Sequence, residues 1–416
     1  MKRTQERGWA KGYLTARETA ERWGISAQAV ALYAAGGRLP GARKQKGRWL
    51  IPADTAKPED RRRRFAAPVR ECQWWAGQPE RSGFLYGPHA LSAVWFPPGR
   101  ADWVMSTVAD PLVRAQLLGE LCYLRGQFEE AAGYFESVRS AGRRELLVPA
   151  WFHTVENALH LSDWSMVLHG LSQLSEIGAE GRRCGDLPLA KAAELATDTF
   201  LIVCNAPERC QPWIKEGDFS RLPDPCLIDA AYARCKYLQN SGQTEQMLSE
   251  YRMATALIGD NPFWRGYPAV MALLGYSSTK QTQATEALAS TICEELMADG
   301  FVIPMMDDLS HVGHSLLRYV QGGASGPVGL ELRRLGQECC TNWADAVKLI
   351  TGRDYGWPWS FKEMETMWLA SVGMSNKEIA QHLNLSVNTV KLRLQTIYEK
   401  LHINSRKELG KFVYFG

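Results

Sequence analysis

Apolar residues near the C-terminal end recur every three to four positions in short runs, each opened by a polar cap. From Trp359, Ser360 with Glu363 forms an S-x-x-E capping box, Met364, Met367 and Trp368 follow at helical spacing, and Gly373 stops the helix. Ser375 with Glu378 opens a second helix carrying Ile379, Ala380 and Leu383, and Asn384-Leu385 makes a turn. Ser386 caps a third helix from Val387 to about Leu401, with Val390, Leu394, Ile397 and Leu401 on one face. Ser405 with Glu408 starts a fourth, containing Leu409 and Phe412.

Residues 13–54 repeat the theme. Thr15 with Glu18 caps a first helix through Ala16, Thr19, Ala20 and Trp23, and Gly24-Ile25 turns the chain. Ser26 caps a second helix to Ala35, ended by Gly36-Gly37. Arg48-Trp49-Leu50-Ile51 then reads as the return strand of a small wing entered through the basic loop Arg43-Lys44-Gln45-Lys46. Between about 70 and 355 the pattern is helix after helix, with Gly, Asn, Asp or Pro breaks every ten to twenty residues. The steps Gly126-Gln-Phe128, Ser162-Asp163-Trp164, Ser241-Gly242-Gln243 and Lys280-Gln281-Thr282 recur along it, the first two 36 positions apart. The tryptophans between 74 and 264 read as repeat-core packing.

Charge sharpens this division. Residues 1–64 hold 16 Lys and Arg against 6 Asp and Glu, residues 65–358 hold 24 against 34, and residues 359–416 hold 8 against 5. Basic ends favour phosphate contact, and an acidic middle is repelled from DNA. The run Arg61 to Arg64 reads either as a phosphate clamp or as a solvated tether.

Length and composition set further bounds. At 416 residues the chain exceeds one hydrophobic core, and 45% hydrophobic with 22% charged residues is ordinary for a globular protein. No stretch approaches the ~20 apolar residues of a membrane helix and no apolar leader follows the charged N-terminus, so a cytoplasmic protein with no membrane partner is expected. None of the ten cysteines forms a Cys-x-x-Cys pair, so buried thiols are expected. No Gly-x-x-x-x-Gly-Lys-Ser/Thr loop and no Gly-x-Ser-x-Gly elbow occurs, and the reading is of no enzyme, no cofactor and no catalytic residue. His311, His314 and Cys339-Cys340 match no known ligand spacing, so no metal site is expected either.

Four short helices with a one-turn step between the second and third have the geometry of a helix-turn-helix. The third helix turns Asn388, Thr389, Lys391, Arg393 and Gln395 outward, donors and acceptors suited to base edges; a solvated helix face on an ordinary bundle is the competing reading. Gly373-Met-Ser-Asn-Lys-Glu-Ile-Ala380, Leu383-Asn-Leu-Ser386, Thr389-Val-Lys391 and Lys400-Leu401 resemble the LuxR-type C-terminal helix-turn-helix over about residues 359–412. The resemblance implies that Lys391, Leu392 and Gln395 face the DNA, with Ser375, Asn376, Lys377, Asn388, Thr389 and Arg393 as further candidate contacts. It also implies dimerisation through the fourth helix. Trp359-Ser360 replaces the family's Leu-Thr opening, and Arg393 and Gln395 replace a common His and Lys, which puts the operator sequence rather than the fold in doubt.

The segment 13–54 is similar to the MerR/excisionase-like winged helix-turn-helix. By position Gln28, together with Ala27 and Tyr33, would face the groove, and Arg43, Lys44, Lys46 and Arg48 would lie near phosphates; a degenerate domain kept for protein contacts is the alternative. In the middle, Leu118-Gly119, Leu124, Gly126, Phe128, Ala131 and Phe135 resemble a tetratricopeptide unit. Regulators resembling the maltose-operon activator pair a helical repeat region with this C-terminal domain.

The expected fold is mainly all-α. A small winged helix-turn-helix occupies 10–56, a basic linker 57–69, a tetratricopeptide-like helical-repeat solenoid 70–355, and a four-helix helix-turn-helix domain 356–416. The expected function is sequence-specific transcription regulation on double-stranded DNA as a homodimer, with a small-molecule or protein effector acting on the middle. The alternative is a helical scaffold attached non-specifically to DNA.

Overall fold

The computed structural model describes residues 12–57, 86–307, 326–352 and 361–411 apart from short internal stretches, together with Leu316 and Tyr319. It divides into two compact units, Met1–Ala67 and Pro68–Gly416.

In the first unit β1 (Tyr13–Thr15), β2 (Arg43–Gln45) and β3 (Arg48–Pro52) form an antiparallel sheet in the order β1-β3-β2, with Leu14 opposite Ile51 and Lys44 opposite Trp49. The segment expected as a basic loop is therefore largely strand: residues 43–45 pair with β3, and Gly47 at φ +77° turns the hairpin. Helix α1 (Ala16–Trp23) starts on the expected capping box, with Thr15 Oγ1 accepting from Glu18 N–H and the Glu18 carboxylate accepting from Thr15 N–H, and ends at left-handed Gly24. Ala27, Val30, Ala31 and Ala34 are helical, and Val30 and Ala34 join Ala20, Leu39 and Ile51 in a small core. Ser26, Gln28, Tyr33, Lys46, the Arg61 to Arg64 run and most of the linker lie outside the described residues.

The second unit is a succession of helices: α2 (Ala101–Thr107), α3 (Pro111–Leu124), α4 (Phe128–Ala141), α5 (Leu147–His160), α6 (Trp164–Arg183), α7 (Leu187–Val203), α8 (Pro212–Glu216), α9 (Leu227–Asn240), α10 (Thr244–Ile258), α11 (Tyr267–Ser278), α12 (Thr282–Met297), α13 (Ile303–Met306) and α14 (Pro327–Thr351). α3 to α7 pack each on the next, as do α9 to α12. The recurrent steps read from the sequence are the turns of these hairpins. At each, a residue three beyond the helix end returns its N–H to a carbonyl in the last turn: Gln127 to Cys122 (2.8 Å), Asp163 to Ala158 (2.8 Å), Gln243 to Leu238 (2.9 Å) and Gln281 to Tyr276 (2.9 Å). This is the Schellman closure, and it requires a left-handed residue, filled by Gly126, Ser162 and Gly242 at the first three. Gly119 has the role expected of a small residue between paired helices, since a Cβ there would lie 2.6 Å from the Phe135 ring.

A linear solenoid, in which each unit touches only its neighbours, is not what the hairpins build. Asp299 accepts from the amides of Gly99 and Ala101 (both 2.9 Å), Val302 N–H donates to Leu124 carbonyl oxygen (2.8 Å), and α13 packs on α3 and α11. The end of the body thus closes on its beginning, and α14 packs against α5. α15 (Phe361–Ser371) packs on α14.

Cys122, Cys204, Cys210, Cys226, Cys235, Cys293 and Cys339 are buried, and Cys184 is exposed. Trp264 is buried and stacked on Tyr251, whereas Trp103 is exposed. No helix among the described residues is long and apolar enough to cross a membrane.

Candidate DNA-binding interface

Two of the C-terminal helices start on the caps expected for them. α16 (Asn376–His382) opens on Ser375, whose Oγ accepts from Glu378 N–H while the Glu378 carboxylate accepts from Ser375 N–H (2.6 Å). Asn384 takes φ +52°, allowing Leu385 N–H to reach Ala380 carbonyl oxygen at 2.8 Å and fixing the turn between the two helices. α17 (Val387–Leu401) begins on Ser386, whose Oγ accepts from Thr389 N–H at 3.0 Å. Val390, Leu394, Ile397 and Leu401 bury one face of α17 against α15 and α16.

The opposite face carries Asn388, Thr389, Lys391, Leu392 and Gln395, all exposed. Offsets of three and four put Asn388, Lys391, Leu392 and Gln395 in one stripe. Leu392, 65% exposed, is a large apolar side chain in solvent between two polar neighbours, chemistry that a thymine methyl would satisfy. Gln395 Nε2 donates to Glu399 at 3.1 Å, which orients its amide. Lys377 and Ser375 are exposed at the start of α16, where helix amides and a lysine can meet a phosphate.

Two expected contacts are placed elsewhere. Arg393 does not point outward with its neighbours: its Nη1 donates to Thr366 Oγ1 (3.0 Å) and to Lys362 carbonyl oxygen (3.2 Å) on α15. One position past Leu392 on a 3.6-residue helix, it falls toward the Leu394 side and bolts α17 to α15. Asn376 is half-buried, its Oδ1 accepting from Arg406 Nη1 at 3.0 Å. Arg406 also donates to the carbonyls of Ala370 (3.0 Å) and Met374, tying the last segment to the α15–α16 junction. No periodicity marks Arg406 for this role. Lys400 Nζ completes the frame on Glu363 at 2.7 Å.

The expected fourth helix is a 3-10 segment over Arg406–Lys411, with Ser405 donating its hydroxyl proton to Glu408, and Leu409 is buried. Trp359, Ser360 and Phe412 lie outside the described residues. Glu365, on α15 beside this frame, is buried, which raises its carboxyl pKa; Arg333 from α14, Arg393 and Lys362 pull it back.

In the N-terminal unit Arg43, Lys44 and Arg48 are exposed along the hairpin, Arg43 lying 4.6 Å over the Tyr13 ring. Of the residues considered for metal binding, His311 and His314 lie outside the described residues. The fold instead gathers His89 with His153 and Glu156, and His160 with Asp307 and Cys339.

A second helix exposed on one face, set by a tight turn and buttressed by the helix before it, defines a helix-turn-helix domain. Residues 358–413 match the family model described as bacterial regulatory proteins, luxR family, so this part of the chain is a luxR-family helix-turn-helix domain, the type found in DNA-binding regulators. No curated protein and no solved structure matches the chain.

Proposed function

We propose that this chain is a sequence-specific transcription regulator in which α17 enters the major groove of double-stranded DNA. The observation that carries it is the exposed stripe Asn388, Lys391, Leu392 and Gln395 on a helix whose other face is buried. In this reading Lys391 and Asn388 read base edges, Leu392 packs on thymine, Thr389 and Gln395 flank them, and Ser375 and Lys377 hold phosphate. Arg393 and Asn376 hold the frame rather than the DNA. The N-terminal unit is a MerR-like second grip, with Arg43, Lys44 and Arg48 of the hairpin near phosphates and Gln28 and Lys46 as further contacts. The helical body senses a ligand or a partner protein and sets the spacing between readers or between the two chains of a homodimer on paired half-sites.

Sequencing genomic DNA bound by the full chain, and by a chain ending at residue 352, tests this reading. Discrete sites that vanish with the truncation support it. Binding without sequence preference, with a steep loss in salt, would instead support the scaffold reading.

A further inference from the structure

Helix α5 has an unusual interior. Its buried residues include His153, Thr154, Glu156, Asn157 and His160, polar side chains of a kind that interiors accept only when partnered. Yet His153 Nδ1, His153 Nε2 and Glu156 Oε2 make no hydrogen bond among the described residues. The nearest groups stand at ion-pair range, Glu120 Oε1 at 3.5 Å from His153 Nε2 and Glu156 Oε2 at 3.3 Å from His153 Nδ1. Facing them is His89, 4% exposed, from the segment just before α2. One ligand atom from each of His89, His153 and Glu156 lies within 4.8 Å of the others.

We propose that His89, His153 and Glu156 form a binding site for a divalent transition cation of the zinc class. A tetrahedral zinc with bonds of about 2.1 Å holds its ligand atoms roughly 3.4 Å apart. Inward movement of about an ångström per side chain therefore closes the set. Two imidazoles and a carboxylate are a recognised zinc donor set that leaves one coordination position open.

The surroundings are those of a metal's outer shell. His89 Nδ1 is held at 2.6 Å by Asp229 Oδ1, which leaves Nε2 as the donor atom. Asp229 is itself fixed by the His89 amide (3.1 Å) and the Ser92 hydroxyl (2.8 Å), and a Cβ on Gly87 would strike it at 2.5 Å. Glu120 plays the matching part for His153, and it is anchored by the amides of Ala90 (2.9 Å) and Leu91 (2.8 Å) and by Gln116 (2.9 Å). Each histidine thus has a preset carboxylate behind it, the arrangement that orients metal-bound imidazoles. Three buried carboxylates, Asp229, Glu120 and Glu156, face two imidazoles, and their field favours positive charge. A dication answers that field with two charges where a protonated imidazole supplies one. The bound cation would tie α5 to the start of the helical body through residues 64 positions apart in sequence.

The test uses the full chain, stripped with a chelator and refolded with one equivalent of Zn2+ or Co2+ because the site is closed to solvent. Expected are one tightly held ion per chain, visible Co2+ ligand-field bands and a higher Tm with Zn2+. X-ray absorption on the zinc-loaded wild type should show nitrogen and oxygen neighbours near ~2.0 Å and no sulfur near ~2.3 Å. Glu156→Gln and His89→Gln should each weaken binding by more than tenfold and Asp229→Asn by about tenfold to a hundredfold, while Cys339→Ser leaves it unchanged. A sulfur shell, or binding lost in Cys339→Ser but kept in Glu156→Gln, would place the ion at His160–Asp307–Cys339 and overturn the proposal. No uptake by the refolded wild type would also overturn it, leaving His153 as a buried imidazolium between two carboxylates.

Discussion

Arg393 Nη1 lies 3.0 Å from Thr366 Oγ1, and this contact divides the third C-terminal helix into a side that packs on α15 and a side left exposed. Its neighbour Leu392 is 65% exposed, while the guanidinium turns inward to α15. Arg393→Ala should therefore lower the stability of the C-terminal domain by about 1–3 kcal/mol, the range for a buried acceptor losing a charged donor. DNA affinity should fall evenly across operator variants. Chemical denaturation read beside a panel of mutated operators checks both; a loss confined to one base position would make Arg393 a reader.

Lys391→Ala and Leu392→Ala should behave in the opposite way. Both side chains are exposed, so Tm should move little. Specific binding should weaken by about 1–3 kcal/mol for Lys391, with discrimination relaxed at one base pair. Unchanged footprints in both variants would contradict the assignment of α17 as recognition helix.

Removing residues 1–64 should lower affinity and flatten its salt dependence, because 16 basic residues go with 6 acidic ones. The footprint of the C-terminal domain should survive. Loss of all binding in a gel-shift series would mean that the N-terminal unit is the main reader.

Asp198 supplies a pH signature. Burial pushes its carboxyl up to about 7, against the pull of the Gln211 amide that hydrogen-bonds to it. Below about pH 4 the group is protonated in folded and unfolded chains alike. Between there and about 7 only the unfolded chain ionises, so this group lowers stability as pH rises, by up to about 1.4 kcal/mol per pH unit, and the loss levels off above 7. Asp198→Asn should gain on the wild type across that window and hold its gain at higher pH. Denaturation curves at pH 4.5, 6 and 8 would show the difference; a constant offset would rule out this titration.

Gly119→Ala tests the helical hairpin. The new methyl would sit 2.6 Å from the Phe135 ring, so α3 and α4 must part. A destabilisation of about 1–3 kcal/mol is expected from overpacking, checked by the shift in Tm. Gly133→Ala on α4, where a Cβ meets nothing within 4 Å, should stabilise or leave Tm unchanged.

What the sequence determined by itself is what neighbouring residues decide among themselves. The Ser375 and Thr15 capping boxes, the start of α17 at Val387 and its buried line of Val390, Leu394, Ile397 and Leu401 all arise within a few turns of one helix. So do the hairpin turns at Gly126, Ser162 and Gly242, where one left-handed residue closes a local hydrogen-bonded loop. Tertiary structure decided the rest, because the outcome depended on which surfaces met. Arg393 and Asn376 share a polar character with their neighbours, and only the approach of α15 and Arg406 turned them inward. Closure of the helical body through Asp299 joins residues about 200 positions apart, beyond any periodicity. His153 and Glu156 stand one turn apart on α5, but no spacing along the chain brings His89, 64 positions earlier, to them. Backbone hydrogen bonds and helical phase act over a few residues, whereas burial and side-chain convergence belong to the packed whole.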